Sequence, residues 1–458
     1  MRGTSKINYK PYLPPIFFGA EKKPYICRIA PFEDGFEFEW FDNYASDGKY
    51  ILHYNKRGSD VEKTQEIKGY EVKVNNLDTE CDYEFYIVSE DGRKSNVRLV
   101  RPAANPDGTM VINYLHPEDG QYDFSGNCIA SPSIVKTDSG RLIVSMDLFG
   151  HGTGQNLTLL FYSDNGGRNW HYLTDIYPYF WSCLLYHKGK LYITGLTTEY
   201  GHYQIACSED EGETWSSPVT LFYGSNRSCV YGGLHRGPMH FVKHNGRIYT
   251  SCEYGCWATT HLPGVISIDE NDDLMVSENW VRSEFLPYEG AWKKASGEKG
   301  HSIEGNIVEG TDGKLYNIMR WEIGSFLKLK VNEDDLDAPL EFDSIVEAPV
   351  SNTMFRVIKH KEKYILITNR KTDVSGKIEA PSYRNVLSIY TSTDLKSFKF
   401  VKDIVNREYE DANDVGFQYP AFEIDENSIF IAIRAAFNNS DNYHDSNYIL
   451  FNKTEIPE

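Results

Sequence analysis

Residues 208–215 read Ser-Glu-Asp-Glu-Gly-Glu-Thr-Trp, and this octapeptide restricts the fold more than any other stretch of the chain. Its Ser and Asp, two residues apart, offer side-chain oxygens that bond the backbone of a tight turn. The Gly supplies the positive φ such a turn needs, and the Trp packs beneath it. The pattern returns at 163–170 as SDNGGRNW, with Asn165 in the Asp position. It returns again at 392–398 as STDLKSF, one residue shorter and without the Gly. Each copy follows an apolar run of strand character. A turn fastener reused behind successive strands predicts a repeated all-β unit. The motif is structural and carries no chemistry of its own.

The repeat it belongs to begins near residue 103. Strand-like runs start at Arg141 (RLIVSMD), Lys190 (KLYITGL), Arg247 (RIYTSCE), Lys314 (KLYNIMR), Tyr364 (YILITNR) and Ile429 (IFIAIRA). They recur roughly every 50–70 residues, a period suited to propeller blades of four strands each. Another strand and a turn (KTDSG, HKGK, KHNG, GTDG, KHKEK, IDENS) precede each run. A strand near Met110–His116 is expected to complete the last blade and close the ring, removing exposed edges. Five blades is the rival count. No helical periodicity of useful length appears.

Residues 24–102 have a different character. Phe36–Trp40, Tyr50–Tyr54 and Tyr70–Val74 alternate apolar and polar residues, and Tyr83–Val88 and Ser95–Val97 complete a short all-β unit. This unit resembles a fibronectin type III domain, with Trp40 as its core tryptophan and Tyr83 at a tyrosine-corner position. The fold class expected is therefore all-β: a six-bladed β-propeller over 103–458 behind a small β-sandwich over 24–102. A chain of 458 residues is long enough for two such cores, and 32 Tyr with 24 Phe suit strands.

Charge narrows the partners. A net charge of −19 argues against nucleic acid and anionic membranes. No apolar run is long enough for a membrane span. The first 25 residues lack the apolar segment of a secretory signal, so the expected location is cytoplasmic, or secreted if such a signal has been trimmed. The eight cysteines show no CxxC and no zinc spacing, which reads as buried thiols. The run EDDLD at 333–337 reads as a solvated face, and Gly152-Thr153-Gly154 as a loop outside any phosphate-binding context.

In a propeller the starts of the innermost strands and the ends of the second strands surround one mouth of the central channel. The expected starts are Ala130–Ser133, Phe180–Ser182, His235–Pro238, His301–Glu304, Met354–Arg356 and Gln418–Pro420. The second strands end at Asp147, Glu253, Arg320, Arg370 and Arg434. The octapeptides, the run from Glu304 to Arg320, and Phe417-Gln418-Tyr419-Pro420 together resemble the sialidase superfamily of Asp-box propellers. The stretch from Gly416 through His444-Asp445-Ser446-Asn447-Tyr448 is similar to bacterial proteins labelled exo-sialidase or BNR-repeat. That resemblance implies Tyr419 as nucleophile, Glu304 as its base and Arg320 as a grip on the substrate carboxylate. The chemistry is sound, because a neutral phenol avoids the repulsion that a carboxylate nucleophile meets at an anomeric centre bearing a carboxylate.

The general acid is assigned to Glu253 or Asp147, with His235, His301 and His444 as alternatives. Arg356 and Arg434 are expected to join Arg320 in binding substrate, with the three histidines and Asp445 nearby. The chain departs from the family at one point: sialidases open the first blade with Arg-Ile-Pro, whereas this sequence has Ala130-Ser131-Pro132. The expected function is an exo-acting glycoside hydrolase that releases a terminal acidic sugar from a glycan, with no cofactor and no metal. The alternatives are a polysaccharide lyase on uronic-acid glycans and a non-catalytic carbohydrate-binding propeller.

Overall fold

The computed structural model describes residues 23–44, 48–150, 152–225, 232–257, 260–287, 302–371 and 383–457. Among these the protein is built of β-strands, with no α-helix. Two sheets form the N-terminal part. One orders the strands Tyr25–Phe32, Gly35–Phe41 and Glu71–Val74. The other orders Lys63–Lys68, Lys49–Lys56, Tyr83–Ser89 and Arg98–Val100. Alternation puts Phe36, Phe38 and Trp40 inward, where they pack against Tyr50 and Phe85. Trp40 is buried as expected, and the Tyr83 hydroxyl accepts the Asp78 N–H at 2.9 Å. The last strand lies at Arg98–Val100, where the sequence pattern suggested Ser95–Val97. The Ser95 hydroxyl instead accepts the Ile87 N–H, and its own N–H donates to the Ile87 carbonyl.

Six antiparallel sheets follow, five of four strands and one of five. The innermost strands of blades one, two, four, five and six are Cys128–Lys136, Phe180–His187, Ile303–Glu309, Arg356–His360 and Gly416–Asp425. In blade three the inner edge is split into Gly233–His235 and Val242–His244, both paired with Arg247–Gly255. Pro238, which has no N–H to donate, lies in the gap. The sixth blade joins chain ends: Thr109–Tyr114 pairs with the C-terminal strand Tyr448–Glu455. The ring is closed as its need to satisfy edge strands requires.

The sandwich is docked on this ring through bonds that only a fixed seam can hold. Buried Arg28 donates to the carbonyls of Ile112 and Val111 at 2.9 and 3.2 Å. Arg98 pairs with Asp119 at 2.7 Å and donates to the Ile26 carbonyl. The Tyr25 and Tyr172 hydroxyls both donate to Asp175. The seven cysteines among the described residues are free thiols; Cys229 lies outside them.

All three copies of the turn motif follow the third strand of a blade, which runs away from the mouth, so these turns occupy the opposite end. In the 208–215 copy, Ser208 Oγ accepts the Gly212 N–H and Asp210 accepts the Thr214 N–H, each at 2.8 Å. The Trp215 indole donates to the Gly212 carbonyl. In the copy without Gly, Leu395 takes the left-handed backbone at φ +57. Burial of its side chain at 3 % exposure offsets that strain.

Candidate active site

Four innermost strands carry the same irregularity. In each, one extra residue bulges out between Ala130 and Ser133, Phe180 and Cys183, Ile303 and Asn306, and Gln418 and Ala421. The residue within each bulge has left-handed backbone: Ser131 (φ +53), Trp181 (φ +49), Glu304 (φ +58) and Tyr419 (φ +52). Such conformations cost roughly 1–3 kcal/mol each for residues with a Cβ. They also re-aim a side chain that a regular strand would point into the neighbouring blade. All four side chains line one cavity of about 510 Å³ at the channel mouth. Gly305 is required behind Glu304, since a Cβ there would lie 2.1 Å from Asn317 Oδ1 and 2.4 Å from Ser251 Oγ.

Two of the bulged residues meet. The Tyr419 hydroxyl donates to Glu304 Oε1 at 2.5 Å, across 115 positions of sequence. Arg320, opposite Ile303 on the second strand, donates to Glu304 Oε2 at 2.8 Å and reaches the Tyr419 oxygen at 3.4 Å. Burial pushes the Glu304 carboxyl up, but the Arg320 charge and the Tyr419 and Arg320 bonds outweigh it and hold Glu304 below the usual carboxylate range. Burial, with the Glu304 charge, pushes the Tyr419 phenol up, against the pull of Arg320, Arg384 and Arg434. At neutral pH the pair is thus a neutral phenol donating to an ionised carboxylate.

Three guanidiniums stand around that phenol. Arg320 is anchored by the Asn352 side chain and carbonyl at 3.1 and 3.0 Å. Arg434 lies 5.0 Å from the Tyr419 ring centroid and is held by Ser446 Oγ and the His444 carbonyl. Arg384 lies 6.0 Å from the same ring and is oriented by Gln418 Oε1 and the Asn352 carbonyl. Burial, then the charge of Arg320, pushes the Arg384 guanidinium down to about 10. Burial also lowers that of Arg434. Charges held so close in a dry wall favour an incoming anion.

The other expected residues divide into three groups. His235 and His444 line the cavity. Glu253 and Asp445 stand behind them: Glu253 accepts from His235 Nδ1 at 2.8 Å, and Asp445 pairs with His444 Nδ1 at 2.8 Å. Burial and the Arg434 charge push His444 down to about 4, so it is neutral at pH 7. Asp147 and Arg356 are placed elsewhere, which corrects the sequence expectation for both. Asp147 is fully buried between blades, accepting from Thr158 Oγ1 at 2.6 Å and from the Ser182 N–H and hydroxyl. Arg356 opens its innermost strand opposite Ile367, away from the mouth, and lines a different cavity. His301 lies outside the described residues.

Five lining residues were not singled out from sequence: Phe149, Gln155, Glu199, Trp257 and Arg384. Arg384 precedes a third strand, Val386–Ser392, and attention to first and second strands passes over it. Glu199 and Trp257 sit in loops between second and third strands, where the Trp257 indole donates to Glu199 Oε1 at 2.8 Å. With Trp181, whose ring is 4.4 Å from that of His235, Trp257 gives the cavity an aromatic side facing its cationic one. The trio of carboxylate and imidazole groups that approaches metal-ligand spacing among the described residues is Glu39, Glu71 and His171. It lies in a separate groove, where Arg28 already pairs with Glu39.

No protein-family model matches the sequence, and no curated protein matches it. Solved structures do match. A leech intramolecular trans-sialidase is similar over 98 % of this chain and 93 % of its own, with a TM-score of 0.52 and 12 % identity. A Hadza microbial sialidase is similar over 95 % and 94 %, with a TM-score of 0.51 and 12 % identity. The α-L-arabinanase of Penicillium chrysogenum matches 77 % of this chain and 98 % of its own, with a TM-score of 0.50 and 10 % identity. The protein has the β-propeller fold of these glycosidases; identities this low establish the fold and nothing finer.

Proposed function

We propose that the chain is an exo-acting glycoside hydrolase of sialidase type that removes a terminal acidic sugar from a glycan. The observation that carries this reading is the Tyr419–Glu304 hydrogen bond set among Arg320, Arg384 and Arg434. In the first step Tyr419 Oη attacks the anomeric carbon while its proton passes to Glu304. The glycosidic bond breaks, and an acid protonates the leaving oxygen. Water then attacks the aryl glycoside, giving its proton to the conjugate base of that acid, and Tyr419 recovers its proton from Glu304. The arginines hold the sugar carboxylate. The arginine missing at Ala130-Ser131-Pro132 is replaced by Arg434, which stacks over Phe149 of blade one at 5.6 Å.

For the acid we favour His235. Its Nδ1 is held by buried Glu253, and its ring lines the cavity beside Glu304 and Trp181. Glu253 then positions the imidazole and touches no substrate. In this reading the octapeptides are Asp-boxes, residues 24–102 form a fibronectin type III-like domain, and 103–458 form the catalytic domain.

The test is a panel of aryl sialosides, uronides and neutral glycosides, with ultraviolet detection of unsaturated products. We expect release of an acidic sugar, reduced about 10³-fold or more in Tyr419→Phe, with ligand affinity kept in Glu304→Gln. Turnover confined to neutral sugars would remove the role given to the arginines. Unsaturated products would mean elimination. Ligand binding with no turnover on any substrate would favour a binding protein.

A further inference from the structure

The innermost strands continue away from the mouth, and their later residues wall a second cavity of about 420 Å³ at the other end of the channel. Met239 and Met354 pack against Tyr419 between the two cavities, so the lower one is a separate space. Its wall is unusual in charge. Arg356 is 2 % exposed; its Nη2 reaches the Pro238 carbonyl at 3.3 Å, and its Nε has no partner. Both ring nitrogens of His240 are buried without a partner. Behind them Arg236 is 1 % exposed and bonds the Met239 carbonyl and Thr250 Oγ1 through Nη2; its Nε and Nη1 have no oxygen or nitrogen partner, and the Cys183 thiol stands beside the guanidinium. The rings of Tyr203 and Phe241, 5.3 and 5.0 Å from its guanidinium carbon, compensate part of that charge.

Among the described residues no carboxylate oxygen lies within 4.0 Å of Arg236 or Arg356. Glu423 lines the same cavity without reaching either. A buried guanidinium with orphaned donors is strongly unfavourable, and an acceptor that carries negative charge removes the penalty. We propose that the lower cavity binds a small inorganic anion between Arg356 and His240, with Arg236 behind it. The segment His235-Arg236-Gly237-Pro238-Met239-His240 then serves both ends of the channel. His235 faces the mouth, Met239 belongs to the plug, and Arg236 and His240 belong to the anion site.

The cavity is roomy enough for a halide or a tetrahedral oxyanion, and the experiment separates them. Unfolding midpoints of the full chain would be measured against sodium bromide and against sodium phosphate, at ionic strength held constant with sodium gluconate. We expect a saturable rise with one of the two anions. Arg356→Met, which keeps the stem and removes the donors, should abolish the rise while being at least as stable as wild type in gluconate alone. Crystals of the wild-type protein grown in bromide provide a second reading that needs no variant. If bromide is the ligand, an anomalous peak lies between Arg356 and His240; if phosphate is, tetrahedral density replaces it in phosphate-grown crystals. Midpoints that do not saturate with either anion, a rise that persists unchanged in Arg356→Met, or density for water alone would overturn the proposal.

Discussion

At the scale of single residues the site is a problem of charge. Tyr419 is held protonated because burial and the Glu304 carboxylate both oppose the phenolate. The arginines make that arrangement tolerable and leave room for one more negative group. Arg384→Met should therefore weaken binding of a free acidic sugar about 10–100-fold, since a hydrogen bond to a charged group contributes ~1.5–3 kcal/mol. Arg356→Met should leave that affinity unchanged, being in the other cavity; titration calorimetry on both variants checks the contrast. The acid is tested through the leaving group. His235→Gln should lower turnover about 10²–10⁴-fold on alkyl glycosides, which need protonation, and far less on nitrophenyl glycosides, which do not. The same pattern in Glu199→Gln in place of His235→Gln would move the role to Glu199.

At the scale of elements, blades separate holding from acting. The turns that fasten the blades lie at one end, and the bulges that aim side chains into the cavity lie at the other. Asp210→Ala removes the acceptor for Thr214 N–H and Oγ1 at 2.8 and 2.6 Å. It should destabilise the protein by about 1–2 kcal/mol while leaving kcat/KM within about two-fold; denaturant unfolding beside steady-state kinetics measures both. Strands and turns were legible in the sequence because alternation and turn chemistry are local. The bulges were not, because Ser131, Trp181, Glu304 and Tyr419 share no residue type. What they share is the backbone left over when one strand gains a residue on its partner. Arg384 escaped for a related reason: it comes from a loop before a third strand, and no periodicity marks that loop as facing the mouth.

At the scale of the molecule, the seam between sandwich and propeller buries Asp175 under the Tyr25 and Tyr172 hydroxyls. Burial pushes its carboxyl up to about 7. A folded-state value above the unfolded one means that its contribution is fully present below about pH 4 and lost as pH rises through 7. Asp175→Asn, which keeps the shape and cannot ionise, should match wild type near pH 4 and gain stability on it towards pH 8, by roughly 1–3 kcal/mol. Unfolding midpoints across that range would show it; a constant difference would mean that Asp175 does not titrate in the seam.

Read alone, the sequence determined the all-β class, the six-fold repetition, the strand that closes the ring, and Glu304, Arg320 and Tyr419 as residues worth watching. The class and the ring follow from alternation and turn chemistry repeated along the chain, and the three residues from a resemblance to the sialidase superfamily. Only the tertiary structure decided which charged groups meet. It set Arg384 and Arg434 at the phenol, sent Arg356 to the far cavity, and paired buried Glu253 with His235. The physical reason is that strand pairing sets His235 opposite Glu253 and brings Arg434 beside Tyr419 within their blades, while Arg384 reaches Tyr419 from the neighbouring blade. These distances are fixed by ring closure and strand register, which no single segment encodes.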